Sequence, residues 1–280
     1  MLRTRHPVRL LGQDDVDDAL ALCADDPAAN VFVASRISEG ALGHGSTAVH
    51  GYFEDDRLTS MLWSIANIIP VGTDARARVA LADRARRSRR RCASFLGPQE
   101  EVMDLWSLVR DGFAPPRSVR EQPLMATRTP PSTLGVPLDD RVRRARLDEI
   151  DLVMPAAEHM FTEEIGYPPY TGNPTFYRDS IWRLVKGGRT YVVVEGGRVI
   201  FKADIGSLAL DTCQVQGVWV APDLRGRGLA GPMMAAAVEQ TMAEHAPFVT
   251  LYVNDYNAPA IATYRRIGME QVGTFATVLL

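Results

Sequence analysis

Apolar residues recur along this chain at two spacings, helical and alternating, and the changes between them mark out the elements. Near the start, Val16, Ala19, Leu20 and Leu22 fall on one helical face behind Asp14, Asp15, Asp17 and Asp18, which suit the positive end of a helix dipole. Pro27 then opens a second helix with Val31, Phe32, Ala34 and Ile37, ended near Gly40, so that 14–39 reads as helical. Two strand-like stretches, Thr47–Phe53 and Leu58–Ile65, flank Glu54-Asp55-Asp56-Arg57 and predict a hairpin. Thr73–Arg91 is rich in alanine and arginine and predicts a helix with a solvated face. After it come a strand at Arg91–Leu96, a helix at Gln99–Val109 with Val102, Leu105, Trp106 and Val109 inward, and an extended stretch at Gln122–Arg128.

Thr129–Asp140 has no periodicity and holds three prolines and a glycine, the composition of a linker. It divides the chain near residue 135 into domains 1–135 and 136–280. The second domain opens with a short strand at Val142–Ala145 and a helix from Asp148, its expected cap, through Ile150, Leu152, Val153 and Ala156. An irregular, aromatic and acidic stretch, Phe161–Asn173, precedes a helix over Pro174–Val185. Gly187-Gly188 ends that helix, Thr190–Glu195 is a β-branched strand, and Gly196-Gly197 turns it into Val199–Ile205. A loop at Ser207–Thr212 leads to the apolar strand of Val215, Val218 and Val220, which stops at Ala221-Pro222. A helix from Leu229 to Glu244, a buried strand at Phe248–Val253, a helix over Asn257–Ile267 ended by Gly268, and a terminal strand or pair over Glu270–Leu280 complete the pattern. The whole reads as α/β of mixed type. No internal sequence repeat is visible, although both halves place helices before a meander.

Composition narrows the class without naming it. At 280 residues, 46% hydrophobic and 23% charged, the chain can bury two sizeable cores. A net charge of −3 gives no global reason for a nucleic-acid or membrane partner. No apolar run approaches the ~20 residues that span a bilayer, and Met1-Leu2-Arg3-Thr4-Arg5 lacks the apolar core of a signal peptide, so a cytoplasmic protein is expected. Cys23, Cys92 and Cys213 are too few and too scattered for a disulfide framework or zinc site, and no metal is expected. The arginines at 76, 78, 84, 86, 87 and 89–91 have few aromatics between them, which favours a solvated or salt-bridging helix over a nucleic-acid surface.

The chemistry concentrates between Cys213 and Gly231. A strand ends in the tight turn Arg225-Gly226-Arg227-Gly228, and a helix begins at once. First-turn N–H groups have no intrahelical partner, the dipole favours an anion there, and glycines let the backbone approach it. Residues 218–230 (VWVAPDLRGRGLA) and 257–269 (NAPAIATYRRIGM) together resemble the GNAT N-acetyltransferase family. The first segment is similar to the family's strand with a valine-x-proline step and Arg/Gln-x-x-Gly-x-Gly/Ala turn. The second is similar to its asparagine-to-tyrosine helix, with Met269 where phenylalanine is usual. The resemblance covers about residues 141–280. The first half resembles the poorly characterised domain that precedes some bacterial GNAT domains, and reads as a non-catalytic, degenerate GNAT-like repeat.

The resemblance implies a central mixed, splayed sheet flanked by helices and acetyl-CoA as co-substrate. Amides over Arg225, Gly226, Arg227, Gly228, Leu229 and Ala230 would hold its pyrophosphate, and backbone groups of Val218, Trp219 and Val220 its pantetheine arm. Asn257 would face the pantetheine as well as cap its helix. Tyr264, seven residues on and so on the same helix face, would be the general acid for the departing thiolate. Where some relatives carry a glutamate as base, this chain has Gln214 and Gln216, which do not titrate. Glu163, Glu164 and Asp204 are the candidate proton acceptors: Glu164 is taken as catalytic, and Glu163, Tyr167 and Asp204 as contacts to the acceptor. His159 reads as structural and Glu195 as a hairpin end. The expected activity is transfer of an acyl group to a primary amine, on a small molecule or peptide, by direct attack in a ternary complex. The alternative is an acyl-CoA sensor or a protein- or RNA-interaction module on the same scaffold. The acceptor, the acyl length and the choice between monomer and homodimer are open at this level.

Overall fold

The same order of elements occurs twice. The computed structural model describes residues 7–43 and 49–280, so the leader residues Met1–Arg5 and the first two positions of the predicted strand at Thr47 lie outside the described residues. The first set is β1 (Val8–Leu10), α1 (Val16–Ala24), α2 (Pro27–Ser38), β2 (Val49–Glu54), β3 (Arg57–Ile65), β4 (Asn67–Val71), α3 (Ala75–Arg87), β5 (Ser94–Pro98), α4 (Gln99–Val109) and β6 (Ser118–Thr127). The second is β7 (Arg143–Arg144), α5 (Ile150–Ile165), α6 (Thr175–Lys186), β8 (Thr190–Glu195), β9 (Arg198–Ala209), β10 (Thr212–Val220), α7 (Ala230–Glu244), β11 (Phe248–Tyr252), α8 (Ala258–Arg266) and β12 (Glu270–Leu279). Both sets read β-α-α-β-β-β-α-β-α-β, a mixed α/β fold.

The chain packs as two compact units. The first runs to Leu124 and takes in Tyr252–Asn257 and Gln271–Leu280; the second holds Met125–Leu251 and Ala258–Glu270. In the first unit the strands lie in the order β1-β2-β3-β4-β5-β12-β6. Its core gathers Leu62, Ile68, Leu81, Phe95, Leu105, Trp106 and Val278, with the Phe95 and Trp106 rings edge-on at 5.2 Å. β12 reaches this core by pairing antiparallel with β5, Phe275 opposite Pro98 and Val278 opposite Phe95. The sequence pattern expects this strand to end the second half; its apolar positions Phe275, Ala276 and Val278 are buried in the first unit. In the second unit the strands lie in the order β11-β10-β9-β8-β7.

Turn chemistry explains which elements sequence rhythm locates. Asp55 and Asp56 both take positive φ, 49° and 61°, and close the predicted hairpin of β2 and β3. The turn into β4 uses Ala66 at φ 57°, with no glycine at the reversal and Asn67 already paired in the strand, and this strand goes unpredicted. Likewise Leu210 and Asp211, at φ 54° and 51°, make a two-residue turn between β9 and β10. The expected loop over 207–212 is therefore strand on both sides of that turn. Helix α5 also runs further than predicted: Phe161–Ile165 are helical, and the irregular stretch begins only at Gly166, whose φ of 92° caps the helix. At its other end the cap is not Asp148. The Glu149 carboxylate accepts from Arg146 N at 2.9 Å and from both Arg143 guanidinium nitrogens, at 2.7 and 2.8 Å.

Candidate active site

The second unit contains a parallel strand pair that comes apart. β10 and β11 pair over Thr212–Phe248, Cys213–Val249 and Gln214–Thr250, and the register ends there. On its other side β10 stays with β9 as far as Val220–Phe201, with an irregularity between Gln216 and Trp219 where Gly217 and Val218 bulge. The Ala221 N–H donates to Ile200 O at 2.9 Å, so Ala221 faces β9. Backbone direction alternates along a regular strand, which turns the amide and carbonyl of Val220 toward the opened side. The Val220 carbonyl accepts there from Arg225 Nε at 2.9 Å.

The gap leads to a glycine-built turn. Past Ala221 the chain makes a short 3-10 turn, Pro222–Leu224, then Gly226 and Gly228 adopt φ of 75° and 78°, which side chains with a Cβ resist. No protein atom lies within 4 Å of where a Cβ on Gly226, Gly228 or Gly231 would sit, so the space over the turn is open. Helix α7 starts at Ala230 with no side-chain cap and no acidic residue in its first turn. An uncapped helix start of this kind is able to take an anion. Arg227 is exposed on the rim, and Arg225 pairs with Glu163 at 2.8 Å, which ties the end of α5 to the turn.

The corresponding helix of the first unit, α3, is arranged in the opposite way. Asp74 caps it by accepting from Ala77 N at 2.8 Å, and Glu101 accepts from Thr73 N at 2.7 Å and Thr73 Oγ1 at 2.6 Å. Arg78, buried on the same helix, donates to Thr73 O and reaches Asp104 at 2.8 Å. Carboxylates of the chain itself thus occupy this helix N-terminus, and burial pushes the Glu101 carboxyl up. A cavity of about 300 Å³ in this unit is lined by Gln99, Met103, Arg120, Glu121 and Tyr256 among others and includes no predicted site residue.

Around the turn, the remaining predicted residues fall into distinct environments. Tyr264 is buried on α8, with its phenol pushed up first by burial and then by the charge of Glu164. Glu164 itself is exposed near the end of α5. Asn257 immediately precedes α8, its N–H donating to Asn254 O at 2.9 Å. Tyr167 is half exposed, with its ring edge-on to Phe161, and Tyr170 donates to Glu158 at 2.6 Å. His159 stacks on Trp219 with centroids 6.1 Å apart. Asp204 is 2% exposed, with Oδ1 accepting from Thr190 Oγ1 at 2.8 Å and Oδ2 bound to Lys202 Nζ. Sequence reading missed Lys202 altogether. The signal was present: it is one of only two lysines in the chain, and it stands inside the apolar run Val199–Ile205.

Cys213 is buried, its thiol pushed up to about 12. Among the described residues no three His, Cys, Asp or Glu residues gather as a metal set, and no helix is long and apolar enough to cross a membrane.

A parallel pair that parts over an open, glycine-built helix N-terminus is the arrangement this chain shares with solved acetyltransferases of the GNAT fold. Residues 157–269 match the model of the acetyltransferase (GNAT) family, and 47–153 match a domain of unknown function, DUF4081. A mycothiol acetyltransferase of Corynebacterium jeikeium is 32% identical over 117 residues, which cover 42% of this chain and 32% of that one. The chain thus matches about a third of the length of that relative. Two solved structures share the fold over nearly all of the chain. A GCN5-related N-acetyltransferase from Sphaerobacter thermophilus aligns with a TM-score of 0.64 at 16% identity, covering 99% of this chain and 96% of its own. A tandem GNAT protein from the clavulanic acid biosynthesis pathway aligns at 0.58 and 16%, covering 97% and 98%.

Proposed function

We propose that the chain is an acetyl-CoA-dependent N-acetyltransferase that moves an acyl group to a primary amine by direct attack. On this reading the domain division near residue 135 separates a non-catalytic first half from the catalytic second. The observation that carries the reading is the splay of β10 from β11 over the uncapped start of α7. Backbone groups of Val218 and Val220 pair along it with the amides of a pantetheine arm, the Val220 carbonyl by exchanging its Arg225 partner, and Arg225–Ala230 hold the pyrophosphate at its end. A Val218 or Val220 N–H donates to the carbonyl oxygen that gains charge as the amine attacks. Asn257 contacts the arm. Burial keeps the Tyr264 phenol protonated, so it can give its proton to the departing sulfur. Glu164, exposed near Tyr264, takes the amine proton through water, while Glu163 and Tyr167 border the acceptor.

Calorimetry with coenzyme A and acetyl-CoA turnover across amine classes test the reading. Peptide N-termini, lysines, polyamines, aminoglycosides and amino acids form the screen, and the relative named for mycothiol adds an acceptor of that type. Gly228→Val, which forces a β-branched residue into a left-handed φ and fills the open turn, should weaken coenzyme A binding by at least about tenfold. Equal affinity in that variant and the wild type would remove the assignment of the turn.

A further inference from the structure

A charged pair is buried under the bulge of β10. The side chains of Lys202 and Asp204 are 0% and 3% exposed, and both lie on β9 directly beneath Gly217. A Cβ on Gly217 would come within 3.0 Å of Asp204 Oδ2 and 3.2 Å of both Lys202 Nζ and Met160 Cε. Gly217 also has φ of 60°, so close approach and backbone conformation both require glycine at this point. Thr190 Oγ1 fixes the far carboxylate oxygen of Asp204, and Lys202 Nζ stands 3.5 Å from Gly217 O.

Burying two charges costs more than packing two apolar side chains of the same size, so holding β9 against β10 does not by itself explain the pair. The charge adds direction. The Gly217 carbonyl points at an ammonium group in a region of low dielectric, where charge–dipole attraction is strong. The peptide plane is rigid, and its C=O and N–H point in opposite senses. Fixing the carbonyl of Gly217 toward Lys202 therefore fixes the N–H of Val218 toward the gap between β10 and β11. We infer that Lys202 and Asp204 are positioning residues that set the Gly217–Val218 peptide so that the Val218 N–H meets the developing oxyanion. This inference rests on the acetyltransferase reading above for its catalytic part, while the setting of the peptide is a property of the free protein.

The test uses the full chain carrying Lys202→Met together with Asp204→Leu, which removes both charges without leaving one buried alone. The double variant should melt within a few degrees of the wild type and bind coenzyme A within about threefold of it. Its kcat should fall about tenfold or more, up to the roughly hundred- to thousandfold that losing one oxyanion donor costs outright, with KM for acetyl-CoA nearly unmoved. In the free protein, the backbone ¹³C′ of Gly217 and ¹⁵N of Val218 should shift and broaden. Lys202→Arg, which keeps the positive charge, should retain more kcat than Lys202→Met. Unchanged resonances at Gly217 and Val218 in the double variant would overturn the inference. So would a kcat equal to the wild type, or a kcat loss accompanied by an equal loss of coenzyme A affinity. A wild-type chain that binds no coenzyme A and turns over no amine would count against the acetyltransferase reading instead, and the resonances would then decide the role of the pair alone.

Discussion

Tyr264 sits on a helix whose exposed neighbours are Arg265 and Arg266, yet it alone of the three is turned fully inward. A tyrosine held there has its phenol raised by burial, so it remains a proton donor throughout the physiological range. Tyr264→Phe should lower kcat by about ten- to a hundredfold, within the usual contribution of a positioned general acid, while calorimetry shows coenzyme A affinity within about twofold. Full kcat in that variant across the pH range would dismiss the assignment. At this scale the open turn and the parting strand were legible in the sequence because they are built from backbone: Gly226, Gly228 and the valine strand announce themselves by type and spacing. The acid–base groups are not legible in the same way. Glu163 reads as an acceptor contact but is bound to Arg225, and Asp204 reads likewise but is sealed between Thr190 and Lys202. Which charges find each other across α5, β9 and the turn depends on packing that no local spacing encodes.

Elements tell a related story through their ends. Helices α3 and α7 hold the same place in the two repeats, but Asp74 and Glu101 fill the start of one, and among the described residues no side chain caps the start of the other. Glu101→Ala leaves the Thr73 amide without its partner and should cost about 1–3 kcal/mol of stability by urea unfolding, with coenzyme A affinity unchanged. A loss of coenzyme A binding greater than the loss of folded protein would show that the first repeat carries part of the donor site. Helices and hairpins with polar punctuation, such as α4 and the Asp55-Asp56 turn, followed from the sequence closely. Two of the misses, β4 and the end of β9, share one cause: the reversals use Ala66 and Leu210 in left-handed backbone, residues that carry no turn signal. The extension of α5 through Phe161–Ile165 was hidden because acidic and aromatic residues there serve the surface rather than a core stripe.

For the whole molecule, acid sensitivity and strand exchange are the properties that pairings impose. Arg143 hydrogen bonds hold the Glu149 carboxyl at about 2, against an ordinary 4.5. A depressed carboxylate contributes stability that is complete above the unfolded value and lost as pH falls from about 4.5 toward 2. Glu149→Gln should therefore destabilise the chain at pH 7 by on the order of 2 kcal/mol, discounted for the partial exposure of Arg143, and flatten the stability profile between pH 5 and 3. A variant as acid-sensitive as the wild type would rule the pair out as the cause. Removing Gln271–Leu280 takes the strand between β5 and β6 out of the first unit and exposes Phe95, so limited proteolysis should cut within the first 124 residues far faster than in the intact chain. The same strand order also sets a schedule. β12 is made about 150 residues after β6, which at ordinary synthesis rates of ~5–20 residues per second is roughly ten seconds or more. During that interval the growing chain holds β5 with an open edge and part of its apolar core uncovered. The first half to emerge from the ribosome is therefore the last to be finished, and it needs shelter from aggregation for as long as the second half takes to be made.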